Sequence, residues 1–203
     1  PAAAASVSVT ALHGTTAGVA QSFTVSLRDA YGNVATSYRG MLNFTSGDKL
    51  AALPAAYTFT AADAGTHTFS LTFKSSGGQD LTVTDSVNPA ITSNQRDIVI
   101  NPAAMSGYVL RAPSSATVGV AFNVTVQAVD AYGNLITGYT GKIHFSGAAG
   151  LLPADYTFTA ADAGVHVFSV TLTSTGTQTI GIQDTLIGSL KAQTSVKILA
   201  ATT

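Results

Sequence analysis

The chain repeats itself. Asp29-Ala30-Tyr31-Gly32-Asn33 returns as Asp130-Ala131-Tyr132-Gly133-Asn134, and Tyr57 to Gly65, reading YTFTAADAG, returns unchanged as Tyr156 to Gly164. A match of that length means one supersecondary plan used twice, so half of the 203 residues must suffice to build the fold. Between Phe44/Phe145 and Leu53/Leu152 the spacing of the copies changes by two residues. This places two extra residues in the first copy around Gly47 to Ala52, where a surface loop tolerates them. The copies are residues 1–101 and 102–203. The linker Asn101-Pro102-Ala103-Ala104 is short and its proline fixes φ, which predicts two domains set end to end with limited bending.

Each copy holds about seven short runs rich in Val, Ile, Phe, Tyr and Thr, bounded by Gly, Pro, Asn and Asp. That pattern predicts an all-β sandwich, two tandem seven-stranded immunoglobulin-like domains. In the first copy the strands are expected near 7–12, 22–28, 41–45, 57–60, 67–73, 80–84 and 97–100. Phe23, Val25 and Leu27 alternate with Ser22, Thr24 and Ser26, and Phe69, Leu71 and Phe73 with Thr68, Ser70 and Thr72, so one face is core and the other a Ser/Thr surface. Asp63-Ala64-Gly65 reads as a hairpin turn in which glycine supplies positive φ.

Composition narrows the function. A net charge of −1 without a Lys/Arg cluster gives no attraction to nucleic acid or to an anionic membrane surface. The absence of cysteine excludes disulfides, thiolate metal sites and a cysteine nucleophile. No apolar run is long enough to span a bilayer, and the start at Pro1 lacks the basic region of a signal peptide, as in an excised interior segment.

Asp-Ala-Tyr-Gly-Asn, a following Thr-x-Tyr-x-Gly, the Thr-Ala-Ala-Asp-Ala-Gly turn and a last Thr-Val-Thr-Asp together resemble the bacterial Ig-like repeats of invasin and intimin adhesin stalks, with filamin-type Ig repeats more distantly similar. The resemblance covers nearly all of both copies. It implies a non-catalytic spacer in a bacterial cell-surface or secreted protein, extracellular, whose partners are the neighbouring domains of the same long chain. The alternatives are a glycan- or host-receptor-binding module and an accessory domain of a large secreted hydrolase. The cysteine-bearing lectin-like tip of invasin and intimin has no counterpart here, so no adhesive site carries over.

The candidate site lies in the loops expected to share one pole. Asp29 continues the inward phase of Phe23, Val25 and Leu27, and Asp85 that of Leu81 and Val83, while His67 opens the inward set of its own strand. Asp29, His67 and Asp85 are therefore expected to cluster, with Asn33 and Asp63 in the same loops; the second copy offers Asp130, Asn134, Asp162, His166 and Asp184. One reading is turn capping and a satisfied histidine. The sharper one is a calcium site at Asp29, Asn33, Asp63 and Asp85 and at Asp130, Asn134, Asp162 and Asp184, because converging carboxylate and amide oxygens suit that cation, although six to eight oxygens are needed. One histidine per domain is too few for zinc. No Gly-x-Ser-x-Gly elbow exists, so no catalytic residue is assigned. With no tryptophan, only Tyr31, Tyr38, Tyr132 and Tyr139 fall outside the core phase as a glycan platform; they read as loop packing. Lys142 has no counterpart in the first copy, where Met41 stands, which disfavours an isopeptide crosslink.

Overall fold

The computed structural model describes residues 2–201. Contacts divide the chain into unit 1, Pro1–Ala103, and unit 2, Ala104–Thr203. Unit 1 comprises β1 (Ser6–Val9), β2 (Thr15–Thr16), β3 (Ala20–Arg28), β4 (Met41–Thr45), β5 (Tyr57–Thr58), β6 (Thr66–Thr72), β7 (Gly77–Asp85) and β8 (Thr92–Asn101). Unit 2 comprises β9 (Met105–Arg111), β10 (Ser115–Thr117), β11 (Phe122–Asp130), β12 (Lys142–Gly147), β13 (Gly150–Leu151), β14 (Tyr156–Thr157), β15 (Val165–Leu172), β16 (Gly176–Asp184) and β17 (Lys191–Leu199).

Each unit is an immunoglobulin-like sandwich. Unit 1 has one sheet ordered β1-β3-β6 and one ordered β2-β8-β7-β4-β5; unit 2 has β13-β15-β11-β9 and β10-β17-β16-β12-β14. The alternation predicts the inward faces: Phe23, Val25, Leu27, Phe69, Leu71, Phe73, Leu81 and Val83 are all buried. Each fully buried side chain of this size contributes about 1.5–3 kcal/mol, which is how a chain without disulfides holds the two sheets together.

The seven expected strands of the first copy are present, and the structure adds a crossing. The run expected as one strand over 7–12 stops at Val9, and the chain passes to the other sheet, where β2 pairs parallel with β8 (Thr15 opposite Ile100, Thr16 opposite Asn101). Gly14 permits the approach, because a Cβ there would stand 2.9 Å from the Val99 carbonyl oxygen. Unit 2 repeats the switch with a longer parallel pair, Ser115 to Thr117 against Lys197 to Leu199.

The turn before β6 also has a stated cause. Ala64 and Gly65 both take positive φ, 45° and 82°. At Gly65 a Cβ would approach the Ala35 carbonyl oxygen to 2.6 Å, so glycine is required by both the backbone and the space.

Candidate functional site

The acids predicted to share a pole each build a separate network. Asp29 ends up 3% exposed just past β3, and its carboxylate folds back onto its own turn. Oδ1 accepts from the Tyr31 and Asn33 amides at 3.0 and 2.9 Å, and Oδ2 from Asn33 Nδ2 at 3.3 Å and the Ala2 amide at 3.1 Å. Burial pushes this carboxyl up, but the bonds from Ala2, Asn33 and Tyr31 outweigh it and leave it below its ordinary value. Asp130 repeats the turn with the Tyr132 and Asn134 amides and Asn134 Nδ2 at 2.8, 2.9 and 2.8 Å.

The expected meeting of Asp29 with His67 does not occur. His67 lies opposite Val25 in the ladder, four residues short of Asp29, or about 13 Å along a strand. Its partner is Asp63, which the tight turn folds back so that Oδ1 sits 2.6 Å from His67 Nδ1. The Thr60 amide and hydroxyl reach Asp63 Oδ2 at 2.6 and 2.8 Å, the Tyr57 hydroxyl reaches both oxygens, and the Tyr57 ring lies 4.2 Å from the imidazole. An ionised carboxylate only accepts, so Nδ1 carries the proton in this pair. The Thr60 amide, with the Thr60 hydroxyl next, holds the Asp63 carboxyl well below the usual range. Unit 2 reproduces the network with Asp162, His166 at 2.6 Å, the Thr159 amide at 2.6 Å and Tyr156.

Asp85 is buried as its phase requires, and it too is occupied. Its Oδ1 accepts the Val87 and Asn88 amides, both at 2.8 Å, and Oδ2 accepts the Tyr38 hydroxyl. Burial raises the Tyr38 hydroxyl and the Asp85 acceptor raises it further. In unit 2, Asp184 accepts the Leu186 and Ile187 amides at 2.8 Å and two tyrosines, Tyr139 at 2.7 Å and Tyr108 at 3.2 Å, whose hydroxyls are 2.5 Å apart. Burial first, and Asp184 among its neighbours, pushes Tyr139 up to about 12. The loop tyrosines thus divide: Tyr38 and Tyr139 turn inward to these acids, whereas Tyr31 is 84% exposed and Tyr132 partly so.

Sequence reasoning missed Asp48 altogether. It sits in the loop that carries the two extra residues, is 5% exposed, and accepts from the Leu50, Lys74 and Ser75 amides and the Ser75 hydroxyl at 2.6–2.9 Å. The insertion is a brace between the β4–β5 loop and the β6–β7 turn, not slack. Tyr57 and Tyr156 were also missed as polar partners, although both stand inside the unchanged YTFTAADAG run; the readable signal was Thr60-x-x-Asp63, the spacing at which a carboxylate returns to a backbone amide. A further acid, Asp155, pairs with Lys142 Nζ at 2.9 Å and His144 Nδ1 at 2.7 Å on an exposed face.

Chemically, these carboxylates are engaged as acceptors. Asp29 and Asp63 receive four or more contacts each, about as many as the lone-pair sites of a carboxylate. Among the described residues, no three His, Asp or Glu side chains are grouped so as to hold a metal ion. Among the described residues, no helix is long and apolar enough to cross a membrane.

No protein-family model matches the sequence. No curated protein matches it either. The chain is similar to the solved structure of the Escherichia coli adhesin FdeC, at 24% identity over 95% of this chain and 63% of that one, with a TM-score of 0.45. It is similar to the Yersinia pseudotuberculosis adhesin InvE at 21% identity over 95% and 58%, TM-score 0.42, and so spans about three fifths of both adhesin structures. A β-glycosidase from Bacteroides vulgatus is similar at 11% identity over 94% of this chain and 24% of its own, TM-score 0.43. The architecture is that of tandem immunoglobulin-like modules, and the solved neighbours include bacterial adhesins.

Proposed function

We propose that the chain is a non-catalytic structural segment of an extracellular or cell-surface protein, a pair of Ig-like modules that spaces other parts of the same polypeptide. The observation that carries this reading is the strand next to each unit's entry. In unit 1, β2 runs parallel to the last strand β8, and in unit 2, β10 runs parallel to β17. Tension on the two ends of such a unit slides the paired strands along each other, so their hydrogen bonds are loaded together instead of being peeled one at a time. The acids agree with a structural role, because Asp63, Asp85, Asp162 and Asp184 each hold amides and hydroxyls of nearby turns and strands.

Stretching the full chain as a single molecule tests the reading. Two separate unfolding events are expected, each releasing about 30 nm at ~3.3–3.6 Å per residue. The unit with the three-residue parallel pair should yield at the higher force. Smooth extension without events would overturn the proposal. Repeating the pulls in EDTA and in millimolar calcium separates a braced turn from a cation site. Superimposable traces leave Asp29 and Asp130 as turn braces, and a calcium-dependent rise in force that Asp29→Ala and Asp130→Ala abolish would place the ion there.

A further inference from the structure

The β7–β8 sheet of unit 1 carries a depression of about 330 Å³ beside Gly78, Asp80, Asn94 and Arg96, and the outer face of the β12–β16–β17 sheet of unit 2 carries a larger one at a different place along the strands. The floor of the larger one is Gly181 on the central strand, opposite Ser146 on β12 and Gln193 on β17. Gln183 and Lys191, paired one step further along, complete the rim, and the depression measures about 440 Å³. That is within the roughly 300–1,000 Å³ of small-molecule sites.

The glycine has no backbone reason to be there. It is not among the glycines with positive φ, and a Cβ added to it would meet nothing closer than the movable Ser146 hydroxyl, at 3.0 Å. Glycine inside a strand weakens it, and its recurring use is to let another group approach closely. In unit 1 the same place is Thr82, opposite Thr45 and Asn94, and Asn94 Nδ2 donates to the Thr82 hydroxyl at 2.5 Å, which fills the notch.

The charge of this face also departs from unit 1. Lys191 and Lys197 project from the outward row of β17 and are exposed, and among the described residues neither makes an ion pair. On the same face Lys142 and His144 both contact the one carboxylate of Asp155. Unit 1 has Thr92 and Val99 in the places of the two free lysines. Gln183 Nε2 donates to the Gly188 carbonyl at 2.7 Å, which leaves its amide oxygen as an acceptor beside the notch.

We propose that this depression seats one acidic sugar residue of a polysaccharide. The ring lies over Gly181, its hydroxyls bond Ser146, Gln183 and Gln193, and its carboxylate meets Lys191. Amide and hydroxyl groups match a polyhydroxylated ring, and the uncompensated lysines favour an anionic one over a neutral one. Lys197, further along the same row, is placed for the next acidic residue of the polymer. This goes beyond the spacer role and does not depend on it.

The test is an amide-resolved NMR titration of the full chain with a short oligogalacturonate, its methyl ester and inorganic phosphate. Saturable shifts are expected at Ser146, Gly181 and Gln193 with the acid, weaker by about tenfold with the ester, and absent at the matching amides Thr45, Thr82 and Asn94. Gly181→Thr should abolish the shifts while leaving the rest of the spectrum native, since threonine is accommodated at that place in unit 1. Lys191→Thr should weaken binding by about tenfold. No saturable shift with the acid, binding that survives Gly181→Thr, or equal binding of the ester overturns the proposal. Phosphate moving the same amides as strongly would also overturn it, in favour of a plain anion site.

Discussion

Where β7 and β16 end, unit 1 gives its buried carboxylate one tyrosine and unit 2 gives it two. Tyr38 is the one tyrosine that donates to Asp85, because the place opposite Leu27 on β1 is Val7. Asp184 accepts from Tyr139 and from Tyr108, which stands on β9 opposite Ala128, the same register position. At the other end of each sandwich the emphasis reverses. Unit 1 braces its β4–β5 loop with the buried Asp48, whereas unit 2, two residues shorter there, closes the loop with the backbone pairs of β13 on β15, Gly150 opposite Leu172 and Leu151 opposite Thr171. One scaffold therefore meets the same need, closing an end of the core without stranding polar groups, through side-chain acceptors at both poles of unit 1 and through a side-chain acceptor at one pole and ladder bonds at the other in unit 2.

The largest effect should come from emptying the acid position at the first pole. Asp184→Ala removes the acceptor of two backbone amides and leaves the two buried tyrosine hydroxyls with only each other, four lost hydrogen bonds in all, and should cost unit 2 about 3–4 kcal/mol. Asp85→Ala removes one hydrogen bond fewer and should cost unit 1 about 2–3 kcal/mol. Hydrogen exchange on the full chain in increasing urea resolves the two units. Tyr108→Phe, which gives unit 2 the arrangement of unit 1, should cost about 1 kcal/mol or less. If it costs as much as Asp184→Ala, the second tyrosine is the main support and the comparison fails.

How much of this was readable in advance follows from what a period of two records. Alternation says which face a residue takes, so the burial of Phe23, Leu71 and Val83, and even of Asp29 and Asp85 at the strand ends, was legible. It does not say how far along the ladder two strands meet, and His67 was assigned to Asp29 for that reason. The actual partner, Asp63, depends on Ala64 and Gly65 both adopting positive φ, which folds the carboxylate back by a distance no alternation pattern encodes. Tyr108 was legible as a core residue but not as a donor, because its acceptor arrives from a strand far along the chain. Asp48 was hidden by the assumption that extra residues in one copy are idle.

A smaller effect tests that correction. Asp48→Ala removes the acceptor of three amides and one hydroxyl, and should cost unit 1 about 2 kcal/mol with faster exchange confined to the loop and to Lys74 and Ser75. The complementary change in unit 2 has no acid to remove. Unchanged exchange at Lys74 and Ser75 would mean that the two extra residues are slack after all, and that the loop pairs as in unit 2 without help; Ala52 opposite Thr72 is the only ladder contact available for that among the described residues.

The least effect at neutral pH, and the one in which the units should not differ, concerns the Asp63 and Asp162 networks. Both carboxyls sit well below the usual range, Asp63 chiefly through the Thr60 amide and Asp162 chiefly through the Thr159 amide, with His166 next. A carboxyl whose folded value lies below its unfolded one, near ~4, contributes stability that is fully present above that unfolded value and is lost as pH falls through the folded one. Acidification from about pH 5 should therefore weaken both units. Asp63→Asn and Asp162→Asn should each lower stability at neutral pH and flatten the acid slope of its own unit, since the amide has no proton to gain. The geometry predicts equal flattening, because the histidine nitrogen stands 2.6 Å from the acid in both copies and the threonine amide does as well. Unequal slopes would show that the unchanged YTFTAADAG run is not energetically autonomous and that residues outside it, which differ between the copies, set the strength of the pair.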